Sequence, residues 1–253
     1  MSTDTEWEKW GKRDPYFAVI THEKFRNRNL TKKIKAEFFE SGKSHINHVL
    51  KVCRNHLDRD FSPKRVLDFG CGTGRLVIPL AEIAEHVVGI DVSGSMLKEA
   101  QKNCEEYSVI NVNLFKSDDN LSFLDGCFDF IHSVIVFQHV PVERGRRIFM
   151  NLLNHLERGG ICALQFTYSK SAFKKSYGVV PLKARLKAWE PTQRLKRLVK
   201  KLFPRRDPEM QMNPYNVNEL LFLMQTAGIR NFYAEFTDHG GELGVFLYFQ
   251  KPK

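Results

Sequence analysis

The sequence predicts an α/β fold built on a doubly wound, mostly parallel sheet, with a helical segment before the sheet and a basic helical insertion within it. Short apolar runs alternate with amphipathic stretches between residues 65 and 168, which is the pattern of consecutive βαβ units. A glycine-rich turn, residues 70–74, follows the first apolar run. Two β-like runs joined by the turn at residues 238–241 end the chain, and such a turn is typical of a hairpin.

The length of 253 residues suits one domain of this kind with decorations. Hydrophobic residues make up 42% of the chain and charged residues 27%, so the core can be large enough to need no disulfide or metal. We expect a single domain over residues 1–253. Its predicted parts are a helical N-terminal cap (1–60), a core (61–168), a basic lid insertion (169–210), and a C-terminal helix and hairpin of the same sheet (211–253).

The N-terminal cap is rich in aromatic residues, and its helical pattern is interrupted at Asp14-Pro15. The interruption is expected because the residue before a proline avoids the helical region. A second helix is predicted over about Ser44–His56, because Ile46, Val49 and Cys53 recur at helical spacing.

The alternation that follows predicts seven strands. Five belong to the core: Arg65–Phe69, His86–Val92, Asn111–Phe115, Phe128–Val134 and Ile161–Tyr168. The helices between them are Arg75–Glu85, Ser95–Tyr107 and Glu143–Leu156. The chain resumes after the insertion with helix Asn216–Ala227 and strands Asn231–Thr237 and Gly244–Gln250.

The net charge of +10 is concentrated in one segment. Residues 170–206 contain thirteen Lys or Arg residues against the single acid Glu190, so the rest of the chain is slightly acidic. Within it, residues 182–203 form a basic amphipathic pattern interrupted by Pro191. Four interpretations stay open: peripheral contact with an anionic membrane or a lipid-linked substrate, guidance of a soluble anionic substrate, RNA binding, or a packed lid with solvated charges. Basic and aromatic residues do not interleave there, which disfavours RNA.

The remaining composition indicates a cytoplasmic protein, with peripheral membrane contact as an option. No apolar run reaches the roughly 18–20 residues of a membrane span, and the first residues lack an apolar signal core. The five cysteines are scattered and never form a C-x-x-C pair, so we expect neither a disulfide framework nor a metal site.

The most informative stretch is residues 66–76, which predicts a strand, a glycine turn and the start of a helix. The glycines allow a tight turn and let a ligand lie against bare backbone. Their spacing is G-x-G-x-G rather than the G-x-G-x-x-G of dinucleotide sites, and no Gly-Lys-Ser/Thr follows as in a P-loop. Asp68 stands two residues before the first glycine, where a carboxylate would disfavour a phosphate and favour an ammonium group. The pattern suits a nucleoside that carries an amino acid.

These residues resemble the first motif of the class I methyltransferases that use S-adenosylmethionine. The resemblance covers residues 65–253 and implies a Rossmann-like, doubly wound seven-stranded sheet with one antiparallel strand. It implies S-adenosyl-L-methionine as the cofactor and S-adenosyl-L-homocysteine as the product. Cofactor-binding residues that the resemblance implies in the first two motifs are Asp68, Gly70, Cys71, Gly72, Gly74, Asp91, Val92 and Met96. In the family Asp68 would face the cofactor's ammonium, Asp91 would accept from both ribose hydroxyls, and Met96 would lie near the adenine.

The resemblance continues through the next two motifs. Either Asp118 or its neighbour Asp119 would accept from the adenine amino group, with Asp118 preferred. Val134, at the end of the fourth predicted strand, would lie beside the cofactor.

Methyl transfer from a sulfonium requires mainly alignment and exclusion of water, and a general base is needed only if the acceptor must lose a proton. His139 follows the fourth predicted strand and is the catalytic candidate, although it could simply cap or pack its loop. His132, inside that strand, is expected to be buried structure. Trp10, Tyr16 and His22 could form a lid over the substrate, but the aromatics could equally staple a helix to the sheet.

The sequence therefore predicts a methyltransferase that acts on an oxygen of a small molecule, a sugar or a lipid-linked glycan. Residues 134–137 read Val-Ile-Val-Phe where a base-flipping tetrapeptide would stand, which argues against methylation of a nucleic-acid base. An RNA methyltransferase that uses the basic insertion is one alternative. A non-catalytic, cofactor-binding or membrane-associated protein is another. The glycine spacing disfavours the third alternative, a nicotinamide oxidoreductase.

Overall fold

The computed structural model of the protein describes residues 3–179 and 207–253. Most of the predicted basic insertion, including the amphipathic pattern at residues 182–203, lies outside the described residues. The described strands form one seven-stranded sheet in the order β3-β2-β1-β4-β5-β7-β6. Their bounds are β1 Arg65–Phe69, β2 His86–Asp91, β3 Val112–Lys116, β4 Phe128–Ser133, β5 Leu156–Lys170, β6 Phe232–His239 and β7 Glu242–Gln250.

The sheet confirms the predicted architecture. Strands β1 to β5 pair in parallel, and β7 lies between β5 and β6 and is antiparallel to both. The chain runs outward from β1 through β2 to β3 and then returns to place β4 on the other side of β1. The carboxyl ends of β1 and β4 therefore form the point where the strand order reverses, and ligands of open α/β sheets bind in the crevice at such a point.

Seven α-helices accompany the sheet in the described residues. They are α1 Thr3–Arg13, α2 Pro15–Val19, α3 Lys32–His56, α4 Val77–Ala81, α5 Gly94–Glu106, α6 Val142–His155 and α7 Val217–Thr226. The predicted interruption at Asp14-Pro15 is confirmed, because α1 ends at Arg13 and α2 begins at Pro15. Helix α3 begins twelve residues before its predicted start, at a Thr31 N-cap whose side chain accepts from the Ile34 amide.

Two other predicted bounds were wrong. Helix α4 spans only Val77–Ala81 instead of Arg75–Glu85, because turns occupy both flanks. Strand β5 runs to Lys170, so the insertion begins later than residue 169. Lys170 itself pairs with Glu242 of the neighbouring strand, and its charge therefore belongs to the sheet.

Alternating side chains of the central strands divide the core between the two faces of the sheet. Val66 packs with residues of α3 and α4 such as Val49 and Leu80. Its neighbour Leu67 belongs to the opposite cluster, which includes Phe149 of α6. All of these side chains are at most a few per cent exposed, as expected for parallel strands covered on both faces.

The N-terminal cap is fixed to α5. Trp10 and Phe17 pack against Met96, and the buried Tyr16 hydroxyl lies 2.9 Å from Asn103 Oδ1. Near the start of α5 the Glu8 carboxylate accepts from the Ser93 hydroxyl and from the Ser95 amide and hydroxyl. Although burial alone would raise it, these donors lower the pKa of Glu8 to about 2. Helix α1 therefore lies across the carboxyl edge of the sheet.

Across residues 3–179 and 207–253, no helix is both long and apolar enough to cross a membrane.

Candidate functional site

A cavity opens at the carboxyl ends of β1, β2 and β4, below helices α1 and α2. From the ends of the strands it is lined by Asp68, Phe69, Gly70, Cys71, Gly72, Ile90, Asp91, Val92, Val134, Ile135 and Val136. The cap contributes Thr3, Asp4, Trp7, Ala18 and Val19. Further lining residues are Arg75, Leu76, Met96, Ser117, His139, Val140, Arg144 and Ile148. The cavity thus occupies the crevice where the strand order reverses.

The glycine turn brings bare backbone to this cavity. Gly70 and Gly72 have positive φ angles of 78° and 53°, which favour glycine. A Cβ added to Gly70 would lie 2.3 Å from a methyl carbon of Val136. The amides of Gly70 and Cys71 both donate to the Ile90 carbonyl. The turn therefore offers close approach to a ligand, while these two donors are used within the fold.

Asp91 is the last residue of β2, and two backbone amides hold its carboxylate in place at the cavity. Its Oδ2 accepts from the Gly72 amide at 3.0 Å and its Oδ1 from the Ser93 amide at 2.8 Å. Burial raises the pKa of Asp91 to about 6, against the lowering effect of those two amides. Each oxygen keeps further acceptor capacity, so the group can accept hydrogen bonds from a vicinal diol.

Asp68 of β1 is almost fully buried, and only one of its oxygens has a partner. Its Oδ1 accepts from Nδ1 of His132, 3.2 Å away on the adjacent strand β4. The His132 Nε2 lies 3.0 Å from Nε2 of His45 on α3. A neutral His132 that donates from Nδ1 to Asp68 would accept from His45 at Nε2. Among residues 3–179 and 207–253, Asp68 Oδ2 has no hydrogen-bond partner, and an unmet buried acceptor is costly unless a ligand meets it.

The backbone is strained two residues after the end of β4. Ile135 has a φ of 58°, which a β-branched side chain adopts rarely. Its amide donates to Oε1 of the fully buried Gln165 on β5 at 3.1 Å. Strain of this kind occurs preferentially at functional sites, and Ile135 lines the cavity.

His139 forms part of the cavity wall on the far side of the glycine turn. Its Nδ1 donates to the Gln211 carbonyl at 2.7 Å, which leaves Nε2 as the acceptor, 3.2 Å from Nε2 of Gln138. The edge of the Trp7 ring packs on it, with centroids 4.8 Å apart. Burial lowers the pKa of His139 to about 4, although the Gln211 carbonyl acts in the opposite direction. The imidazole is therefore neutral at pH 7, with a lone pair at Nε2.

Comparison with known proteins identifies this arrangement. A sequence model described as a methyltransferase domain matches residues 66–160. The magnesium-protoporphyrin O-methyltransferase of Synechocystis is 33% identical over 118 residues, which cover 46% of this chain and 51% of that protein. A ubiquinone biosynthesis O-methyltransferase of Rickettsia akari is 25% identical over 134 residues, 53% of this chain and 51% of that protein. The chain thus aligns with about half the length of these relatives.

Solved structures agree on the fold. The crystal structure of the Synechocystis magnesium protoporphyrin IX methyltransferase with bound S-adenosylhomocysteine superposes with a TM-score of 0.63 at 16% identity, covering 99% of this chain and 100% of that one. The N-methyltransferase NodS of Bradyrhizobium japonicum, also solved with S-adenosylhomocysteine, gives 0.58 at 12% identity with full coverage of both chains.

The chain carries a methyltransferase domain and has the fold of the class I S-adenosylmethionine-dependent methyltransferases.

The cavity collects most of the residues predicted for the cofactor. They are Asp68, Gly70, Cys71, Gly72, Asp91, Val92, Met96 and Val134, and His139 lines it as well. Gly74 does not reach the lining, and its φ of 83° serves the turn instead.

Neither acid of the third predicted motif lines the cavity. The Asp118 carboxylate accepts from the amide and hydroxyl of Ser122, while Asp119 pairs with Arg144. Ser117, one residue earlier, reaches the lining.

The proposed lid residues Trp10, Tyr16 and His22 do not line the cavity either. Trp10 and Tyr16 are 2% exposed and anchor the cap to α5, as the alternative interpretation had it. His22 is exposed, and its Nδ1 accepts from the Lys24 amide at the start of a 3₁₀ turn.

Among the cavity residues that the sequence interpretation did not assign to the site are Asp4, Trp7, Arg75 and Arg144. Arg144 on α6 pairs with both Asp4 and Asp119 and so ties the cap to the sheet. A signal existed only for Arg75, which directly follows the glycine turn. The contact between Asp4 and Arg144 spans 140 positions and has no local pattern.

Proposed function

We propose that the protein transfers the methyl group of S-adenosylmethionine to an oxygen atom of a small-molecule acceptor, with residues 1–253 acting as one domain. The observation that carries this proposal is the buried Asp68 carboxylate, whose Oδ2 has no partner in the described part of the chain. It shares one cavity with Asp91 and His139. An unmet buried acceptor fits an ammonium group, and a structured second carboxylate fits a ribose diol.

The chain's own residues would then bind and orient. Asp68 would accept from the ammonium of the methionine part, Asp91 from the ribose hydroxyls, and the bare turn at Gly70 would allow close approach. S-adenosylmethionine supplies a methyl group on a positively charged sulfur, which is already electrophilic. Alignment of an acceptor against such a group can supply roughly 7–11 kcal/mol in favourable cases.

His139 is the group proposed to act on the acceptor. Because its Nδ1 donates to the Gln211 carbonyl, its Nε2 is the atom that can accept a proton. A hydroxyl acceptor entering the cavity would take the place of the Gln138 amide beside that nitrogen and donate to it. An acceptor oxygen that is already ionised, such as a carboxylate, would need no base.

The relatives named as O-methyltransferases support oxygen as the methylated atom. Since they align with this chain over only about half their length, they do not select an acceptor. Small phenols, carboxylic acids, sugars and lipid-linked glycans are therefore the classes to screen.

The first test is thermal unfolding with S-adenosylmethionine, S-adenosylhomocysteine, NAD or no ligand. A ligand at about 100 times its dissociation constant stabilises by roughly 2.7 kcal/mol, or about 5–11 °C for a chain of this size. We expect a shift with the two sulfur nucleosides alone. A radiolabelled methyl-transfer screen over the acceptor classes then follows. A shift with NAD alone would contradict the proposal, and cofactor binding without transfer to any pool would favour a non-catalytic role.

The basic residues between 170 and 206 favour an anionic partner as an added element of the proposal. Vesicles with and without anionic lipid test peripheral membrane contact through residues 182–203. Total RNA in the methyl-transfer screen tests the RNA alternative, for which binding would fall steeply with salt. Transfer to RNA but to no small molecule would replace the proposed acceptor class.

A further inference from the structure

Arg75 is a buried cation in the same cavity that no step above uses. It directly follows the glycine turn, is 8% exposed, and lines the cavity. Its Nε is buried and has no hydrogen-bond partner among the residues that the structure describes. Its guanidinium donates one long hydrogen bond, from Nη1 to the Ser41 hydroxyl at 3.4 Å. A guanidinium offers five donors, so Arg75 has further N–H groups that can bind a ligand.

Burial lowers the pKa of Arg75 to about 10, an effect that the Asp68 carboxylate partly offsets. The side chain is therefore charged at neutral pH. In the described part of the chain, Asp68 and Arg75 form no ion pair with a nitrogen–oxygen distance of 4.0 Å or less. The cavity thus contains an unpaired acceptor, Oδ2 of Asp68, and an unpaired donor, Nε of Arg75, which do not pair with each other.

The backbone around Arg75 is held rigidly by α3. At Gly42 of that helix, an added Cβ would lie 2.2 Å from the Arg75 carbonyl oxygen. Only the missing side chain lets helix and turn approach so closely. The backbone that carries the unmet donor is therefore fixed against α3, and a fixed backbone reduces the ordering cost of binding.

Several other donors at this edge of the cavity are already used. The amides of Gly70 and Cys71 donate to Ile90, and the Gly72 amide donates to Asp91. Arg144, the second arginine of the lining, pairs with Asp4 and Asp119.

We propose that Arg75 binds the carboxylate of the cofactor's amino-acid part, while Asp68 binds its ammonium. Arg75 and Asp68 would then bind the two opposite charges of the cofactor's amino-acid part together. This inference rests on the proposed function, because it assigns a binding residue within the same site.

The test is isothermal titration calorimetry of the full chain with four nucleosides. S-adenosylhomocysteine has both charged groups, its decarboxylated analogue has only the amine, its deaminated analogue has only the carboxylate, and 5′-methylthioadenosine has neither. For the unmodified protein we expect the decarboxylated ligand to bind about ten- to a hundred-fold more weakly than S-adenosylhomocysteine, the range for a hydrogen bond to a charged group. Equal affinity of these two ligands would overturn the inference without any variant.

Variants make the assignment specific. Arg75→Met should weaken the two ligands that carry a carboxylate by about ten- to a hundred-fold and leave 5′-methylthioadenosine unchanged. Asp68→Asn should instead weaken the two ligands that carry an amine. Arg28→Met is the matched control, since Arg28 lies on the surface of the cap and pairs with Glu23. It should change none of the affinities.

A loss shared equally by all four ligands in Arg75→Met would show a structural role and overturn the inference. Arg75→Lys keeps the positive charge and replaces the methionine variant if that variant does not fold. We then expect full affinity for the decarboxylated ligand and a partial loss of affinity for S-adenosylhomocysteine. No loss of affinity for either ligand would overturn the assignment. If the unmodified protein bound none of the four nucleosides, the proposed function itself would fail. Binding of S-adenosylhomocysteine with no effect at Arg75 would refute only the further inference.

Discussion

Lowering the pH to about 5 should weaken nucleoside binding through Asp91. Its pKa is raised to about 6, chiefly by burial and with smaller contributions from the negative charges of Asp68 and Asp4. A carboxyl group with that pKa is about nine-tenths ionised at pH 7 and about one-tenth ionised at pH 5. Because the ionised form accepts better from a ribose diol, affinity should fall by up to about ten-fold between about pH 7.5 and pH 5.

The assay is calorimetric titration of 5′-methylthioadenosine, which carries the ribose but neither charged group of the amino acid. This ligand separates Asp91 from Asp68 and Arg75. The matched variant is Asp91→Asn, which cannot ionise; its affinity should be lower at pH 7.5 and independent of pH over the same range. A wild-type affinity that is flat from about pH 7.5 to pH 5, or a variant that keeps the wild-type slope, would refute this reasoning.

The same carboxyl group should act on the unliganded protein with the opposite sign. Its folded-state pKa lies above the unfolded value of about 3.8, so the folded state holds the extra proton between about pH 4 and pH 6. The contribution of Asp91 to stability is therefore lost as the pH rises through this window. Acidification should thus stabilise the unliganded protein through Asp91 while it weakens the complex.

Three further perturbations have defined outcomes. His139→Ala should lower kcat by roughly 10²–10⁴ for a hydroxyl acceptor and far less for a carboxylate acceptor; equal losses in steady-state assays would exclude a role as base. Ile135→Gly relieves a strain of about 1–3 kcal/mol, so denaturant unfolding should find it more stable than the neighbouring Val134→Gly; the reverse order would deny the strain. Phe149→Ala empties a fully buried site between Phe166 and Phe249 and should cost about 3–5 kcal/mol, on the order of a 10 °C fall in Tm; a fall of a degree or two would indicate that the core collapses around the gap.

The sheet was predictable because its signals are local. Each core strand is a short apolar run that ends in a glycine, an acid or a turn, as at Phe69-Gly70 and Asp91. Parallel strands bring those ends to one edge, so the polar residues after β1, β2 and β4 had to meet. Their order along the chain was enough to predict that they would line one cavity.

The side of the cavity that the N-terminal cap forms was less predictable, because neighbouring residues of a helix look alike in sequence. Trp7 and Trp10 stand three positions apart on α1 and share nearly one face. In the structure Trp10 is buried against Met96, whereas Trp7 lines the cavity and packs on His139. The choice depends on how α1 sits on α5, which the contacts of Glu8 with Ser93 and Ser95 determine. Nothing in the spacing of the two tryptophans contains that information.

The pairing of Asp68 with His132 is a second feature that the local sequence does not predict. The histidine was expected to be buried structure because it lies within an apolar strand, and it is fully buried. Its partner depends on the register of β1 against β4, which places the two residues directly opposite one another. Register between parallel strands is set by packing across the whole sheet. A residue assigned to structure therefore holds one oxygen of the acid assigned to the cofactor, and in doing so leaves the other oxygen for a ligand.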